Sequence, residues 1–462
     1  MKDVLLQALA GAPDWTELRW HRRSQVRVTV EKGEVRQAKV DTYQGVGARV
    51  LAGGAWGFSS TSTVDPAAIG RAITEAAAIA RFLSSARQEK ARLPQLAPAR
   101  AEHLAAPADP VTAHSLEEKL ELVLRTERET RAMSPAVSSA TATYSEYVDE
   151  KWIVNSSGVC VHELDHKPEF GVWAVASKDD QKSFGARFVG VDGGWSDLLA
   201  KARPAEISGY AARLAVDKLS APYPDGGVFP VVMDPEIVGL LCHEAIGHTV
   251  EADFVLSGSI AAGKVGQKVA GDLVTLCDSG ASELKPLAAG SMAFDDEGTP
   301  ARRAVLIENG VLRGYLHNLE TAARFGVEPT GNARAWEYDN EPLIRMRNTY
   351  LEPGGGKVEE LIAGIKDGYY LKGSGGGQAD ANAEFMFSAG ETYRIRDGKV
   401  AGLCRDATLS GQAFEVLKSV DALGDDFEWA MGSGHCGKGQ PAKVDGGGPS
   451  IRCRVTVAGK QE

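Results

Sequence analysis

The sequence predicts an α+β protein: N-terminal α/β units with antiparallel sheets, followed by a β-rich C-terminal domain that carries one chemically loaded helix. Three observations predict this. Apolar and polar residues alternate through 26–60 and 136–191, the period of half-buried strands. Helical stretches with capping signals interrupt those runs. Further on, Asn309-Gly310 and Asp397-Gly398 sit between alternating runs, the strongest short hairpin signal. No period of 20–50 residues repeats, so solenoids and propellers are excluded.

In chain order, 4–12 reads as a short helix, and 26–30, 34–40, 45–51 and 55–60 as strands turned at Glu31-Lys32-Gly33 and Ala52-Gly53-Gly54. An alanine-rich helix over 66–83 completes an N-terminal α+β domain, residues 1–85. Residues 86–113 lose periodicity and gather Ala, Pro and charge, as interdomain linkers do. Ser115-Leu116-Glu117-Glu118 is a capping box, in which the Ser oxygen and the Glu carboxylate satisfy each other's backbone N–H; it opens a helix to about residue 133. Strands over 136–191 and a helix near 198–219 close a central α+β domain, 114–221. Pro222-Tyr223-Pro224-Asp225-Gly226-Gly227 marks the next boundary, and 228–462 is the C-terminal domain.

That domain opens with a buried strand, 228–233, and then a helix start. Asp234 is an N-cap, Pro235 suits the first helical position, where an N–H has no partner anyway, and Glu236 complements the helix dipole. Ile237, Leu240 and Leu241 run at helical spacing into His243-Glu244-Ala245-Ile246-Gly247-His248. Two histidines with a carboxylate after the first suggest metal-assisted hydrolysis. The usual spacing is four, which puts both imidazoles on one helix face; here it is five, leaving them about 140° apart on a regular α-helix. A π-bulge supplies the missing residue of winding, and Gly247 is a permissive place for it.

A catalytic zinc takes three protein ligands, so a distant residue must complete the set. Cys436 is the best candidate, in the glycine-rich run Met431-Gly432-Ser433-Gly434-His435-Cys436-Gly437-Lys438-Gly439-Gln440, with His435 as its competitor. As text, His162-Glu163-Leu164-Asp165-His166 is closer to the standard zinc motif. Its neighbours are β-branched and aromatic, with Gly158 before and Pro168 after, so it reads as a strand, where the Glu faces away from both histidines.

His243–Asp253, Phe294-Asp295-Asp296-Glu297-Gly298-Thr299-Pro300, Arg345-Met346-Arg347-Asn348-Thr349-Tyr350, Gly375-Gly376-Gly377-Gln378 and Cys436–Gln440 occur in this order, and together they closely resemble the TldD/PmbA family of metallopeptidases. The resemblance is to the metal-bearing, TldD-type subunit. It implies that His243, His248 and Cys436 hold Zn2+ and that Glu244 is the general base for a metal-activated water. It further implies a zinc-dependent peptidase acting on unstructured peptides or unfolded polypeptides within a homodimer, or a heterodimer with a metal-free paralogue. The rival is a non-catalytic peptide-binding or regulatory subunit of a dimeric protease complex.

Glu251 and Asp253 are candidates to orient the second histidine, since metal-bound imidazoles give their other N–H to an acceptor. Asp295, Asp296 and Glu297 are weaker candidates, and His317 reads as structural. Gly373-Ser374-Gly375-Gly376-Gly377 opens a groove beside a strand; Gly375, Gly376 and Gly377 would hold substrate backbone by strand addition, the alternative being a plain flexible loop. A net charge of −11 without any Lys/Arg-rich block argues against a nucleic-acid surface. The six cysteines form no Cys-x-x-Cys pair, and the apolar run at 1–12 is interrupted by Gln7 and too short to span a bilayer. A cytoplasmic protein without membrane contact is expected.

Overall fold

The computed structural model describes residues 1–459 of the 462. The first helix, α1 (Lys2–Ala10), leads into the long strands β1 (Trp15–Glu31) and β2 (Glu34–Ala52) and then β3 (Ala55–Thr61). Thus 34–40 and 45–51, read as two strands, are one. The helix α2 (Pro66–Ser84) starts on the Asp65 cap, whose carboxylate accepts from the Ala68 N–H. The 86–113 stretch is not structureless: β4 (Arg100–Leu104) pairs parallel with a later strand. The capping box is present at the start of α3 (Leu116–Ala132). Strands β5 (Val137–Asn155), β6 (Cys160–Lys178) and β7 (Gln181–Gly190) follow. The single helix expected near 198–219 is two, α4 (Trp195–Ala202) and α5 (Pro204–Lys218), because Arg203 is left-handed at φ 46° and Pro204 cannot continue the preceding turn.

The first two sequence units share one sheet, ordered β3-β2-β1-β5-β6-β4, with β7 also on β6. Alternation on β1 explains its two faces. Leu18, Trp20, Val28 and Val30 pack under the helices, in clusters with Leu5, Ile69 and Ile73 at one end and Leu122, Phe170 and Ala211 at the other. Glu17, Arg19, His21 and Arg23, on the opposite face, are also buried, because the C-terminal domain lies over them. Burying charge is costly unless it is paired, and here it is paired within the sheet, Glu17 with Arg49 and His21 and Arg23 with Asp149, and across the domains: Lys151 Nζ lies 3.0 Å from Asp296 Oδ1, Arg49 pairs with Glu297, and Arg19 donates to the carbonyls of Glu337 and Asn340.

The C-terminal half begins with β8 (Gly227–Met233) and α6 (Pro235–Leu240), with Asp234 accepting from the Ile237 N–H as cap. Strands 367–379, 227–233, 451–458, 407–412 and 384–396 pair in that order, and 384–396 returns to 367–379, closing a barrel. A second sheet contains 276–279, 304–308, 348–351 and 445–448. This β-rich half agrees with the predicted class, and α6 packs against both sheets. Among the described residues no helix is long and apolar enough to cross a membrane, and all six cysteines are free thiols.

Candidate metal centre

From Leu241 to Gly247 the helix continuing α6 is a π-helix. The His248 N–H donates to the His243 carbonyl, five residues back. That wider turn does what the five-residue spacing requires and brings the two rings edge to face, with centroids 5.4 Å apart. Gly247 serves a purpose other than the one expected. Its backbone is ordinary right-handed helix, but a Cβ there would stand 1.8 Å from Met346 Sδ. Gly247→Ala is therefore expected to cost about 1–3 kcal/mol through overpacking and to lower bound zinc, read by thermal melting and metal analysis. A variant with unchanged melting would show that Met346 simply moves aside.

Cys436 lies on a hairpin whose strands, His435–Gly437 and Pro441–Lys443, pair antiparallel. Its neighbours on the strand point the other way. His435 Nε2 faces Glu169 at 3.6 Å, on the side of the hairpin away from the histidines, whereas Cys436 Sγ stands 3.1 Å from His248 Nε2. Of the two competitors, Cys436 is thus the one brought to the histidine pair. The ligand atoms of His243, His248 and Cys436 all lie within 4.8 Å of one another. Glu244 projects beside them, its Oε2 3.7 Å from His248 Nε2.

Two properties fit a zinc ion. His243 is 1 % exposed and neither ring nitrogen has a hydrogen-bond partner; a buried imidazole is rarely left so. The donor set, two imidazoles and a thiol, suits zinc, and the thiol is poised to ionise. Burial alone would raise the Cys436 thiol, but His243 and His248 beside it bring it down to about 4. Burial likewise lowers His248, and Cys436 and Glu251 outweigh it, raising the imidazole to about 10. Thiolate and proton thus already share the place a cation would take.

Glu251, fully buried, accepts from His248 Nδ1 at 3.2 Å, which leaves Nε2 facing the cluster. Lys438 Nζ holds Glu251 at 3.0 Å and Asp253 at 2.7 Å, and also reaches the Ile344 carbonyl. Glu251→Ala is expected to weaken metal affinity about 10–100-fold, measured by competition with a chelator; unaltered affinity would mean that Nδ1 is held by another group. Asp253 acts only through Lys438.

The remaining candidates go elsewhere. Asp295 accepts from the backbone N–H groups of Glu297, Thr299 and Ala333, while Asp296 and Glu297 bind the N-terminal sheet, so this run ties domains together. His162 stacks on Trp152 and bonds Glu150; on strand β6 it stands about 13 Å from His166, too far to share an ion. His317 is buried beside Thr321. Gly375, Gly376 and Gly377 lie within the 367–379 strand, exposed, with Gly376 at φ +89° beside a bulge. Arg345 was missed as a working residue. Wholly buried, it donates to the carbonyls of Cys436 and Gln440 and clamps the hairpin; its sequence signals were its place at the head of the Arg345–Tyr350 motif, to which no role was attached, and a charge beside the apolar Leu343-Ile344.

Three domain models of one family match the chain: PmbA/TldA metallopeptidase domain 1 at 16–80, the central domain at 109–219 and the C-terminal domain at 226–459. A metalloprotease of Methanothermobacter thermautotrophicus is 35 % identical over 458 residues, 98 % of this chain and 97 % of its own. A zinc metalloprotease TldD homolog of Saccharolobus solfataricus is 38 % identical over 246 residues, 53 % of this chain and 54 % of its own. Among solved structures, TldE from Thermococcus kodakarensis shares the fold with a TM-score of 0.77 at 22 % identity, covering 96 % of this chain and 97 % of that one.

Proposed function

Because this chain belongs to the PmbA/TldD family of metallopeptidases, we propose that it hydrolyses peptide bonds in unstructured peptides or unfolded polypeptides, with Zn2+ held by His243, His248 and Cys436 and with Glu244 as general base. The observation that carries this reading is the convergence of those three side chains beside the Glu244 carboxylate. The zinc name of the Saccharolobus relative supports the choice of ion.

Bound zinc supplies Lewis-acid polarisation of the scissile carbonyl and makes nearby water more acidic. Glu244 Oε2 takes the proton of the attacking water and hands it to the nitrogen of the departing amine. Glu251 keeps Nδ1–H of His248 engaged so that Nε2 faces the centre, and Lys438 holds Glu251 in place. Arg345 holds Cys436 against the histidines through its backbone. The exposed edge at Gly375, Gly376 and Gly377 holds substrate backbone by strand addition, which reads little side-chain identity and suits broad specificity. We expect a cytoplasmic protein that works as a homodimer or with a metal-free paralogue; the fold shared with TldE supports a pairing inside the family.

The test is an unfolded polypeptide offered beside its folded form, to the protein alone and with any family paralogue from the same source. Cleavage of the unfolded form only, abolished by chelation and restored by zinc, is expected. Hydrolysis that survives chelation, or none by zinc-loaded protein, counts against the proposal.

A further inference from the structure

The strand 367–379 pairs with 384–396 along its whole length but with β8 only at Tyr369, Tyr370 and Leu371. At that point β8 ends at Met233 and the chain turns into the helix that carries the metal-centre residues. Two carboxylates from the first turn of that helix continue the ladder where the strand stops. Asp234 Oδ2 accepts the Gly373 N–H at 2.9 Å, and Glu236 Oε1 accepts the Ser374 N–H at 3.0 Å. Each carboxylate also has a second bond: Asp234 Oδ1 caps α6 at the Ile237 N–H, and Glu236 Oε2 takes Arg187 Nη1 of β7 at 2.7 Å. Among the described residues no strand pairs with this edge beyond Ser374, and Gly375, Gly376, Gly377 and Gln378 are exposed.

The open edge is therefore fastened, at the residue just before it begins, to the same helix that presents His243 and Glu244, six residues of α6 and then the π-turn away. The 367–379 strand also packs against that π-turn. A peptide added to this edge has a register of one residue, about 3.3 Å, and a slip of one residue presents a different bond to Glu244. We propose that Glu236, with Asp234 beside it, is a positioning residue that sets which bond of an edge-bound peptide faces the centre, and that Arg187 ties this setting to the N-terminal sheet. The inference rests on the strand-addition reading given above.

The test compares Glu236→Ala and Glu236→Gln in the full chain with the parent. The probe is a fluorescent-labelled extended peptide, with cleavage positions mapped by mass spectrometry, binding by anisotropy, and zinc content measured alongside. Gln keeps an acceptor for the Ser374 N–H; Ala does not. Expected for Ala is a rise in KM and Kd on the order of five- to tenfold, the weight of one ordered hydrogen bond, with cleavage spread over neighbouring bonds at full zinc content, and Gln restoring the parental cleavage positions. Unchanged KM and cleavage positions in Ala, or losses that simply follow lost zinc and are not restored by Gln, overturn the inference. Binding that depends on Glu236 in a protein that cleaves nothing would leave this inference standing and sink the peptidase reading instead.

Discussion

The Glu244→Gln variant is expected to bind zinc and peptide as the parent does and to hydrolyse peptide about 10²–10⁴-fold more slowly, the usual contribution of a positioned general base. Geometry explains the separation of effects. Glu244 Oε2 stands 3.7 Å from His248 Nε2, beyond hydrogen-bond reach, so Gln fills the same space without disturbing the cluster. What Gln cannot do is take a proton from water. Metal analysis, peptide binding and initial rates on one preparation check this. Parental turnover with zinc in place would remove Glu244 from the mechanism, and loss of zinc together with turnover would recast it as a structural partner of His248.

Cys436→Ser is expected to lose most of its zinc, from about one ion per chain, and with it all hydrolysis. The histidines hold the Cys436 thiol down at about 4, so the parent offers a thiolate at neutral pH; a serine hydroxyl stays protonated and is a poor partner for zinc. The hairpin itself should survive, because Arg345 grips the carbonyls of residues 436 and 440 rather than the sulfur. Metal content and a melting curve, taken without added metal, check both parts. Full zinc retention would return His435 or the His162 and His166 pair to consideration, although His435 faces Glu169 across the hairpin and the other two are separated along β6.

Much of the centre was legible in the residues. Asp234, Pro235 and Glu236 announced the helix start, and the five-residue histidine spacing demanded a wider turn, which Leu241–Gly247 provides. The capping box at Ser115 and the turns at Asn309-Gly310 and Asp397-Gly398 were equally readable, because each is a local hydrogen-bond or dihedral requirement. The joining of 34–40 with 45–51 into one strand was not readable, since the polar Asp41, Thr42 and Gln44 between them look like a break and are held in the ladder by pairing with β1. Nor was the double use of β1. An alternating strand normally has a wet polar face, whereas here Glu17, Arg19, His21 and Arg23 are covered by another domain, Arg19 facing its Asp296 while Glu17 pairs with Arg49, and His21 and Arg23 with Asp149, inside the sheet.

By itself, then, the sequence determined the α+β class, the helix that presents His243, Glu244 and His248, and the candidacy of Cys436, all of which depend on residues near in the chain or on side-chain chemistry alone. The tertiary structure decided which residue of the pair His435 and Cys436 meets the histidines, that Asp296 and Glu297 bind domains together and Asp295 braces their loop instead of serving the centre, that Arg345 and Lys438 hold the centre in shape, and that the glycine-rich strand is latched to the metal-centre helix. Each of these is a contact between residues tens to hundreds of positions apart, set by how a hairpin and a barrel pack, and no local propensity or spacing encodes it.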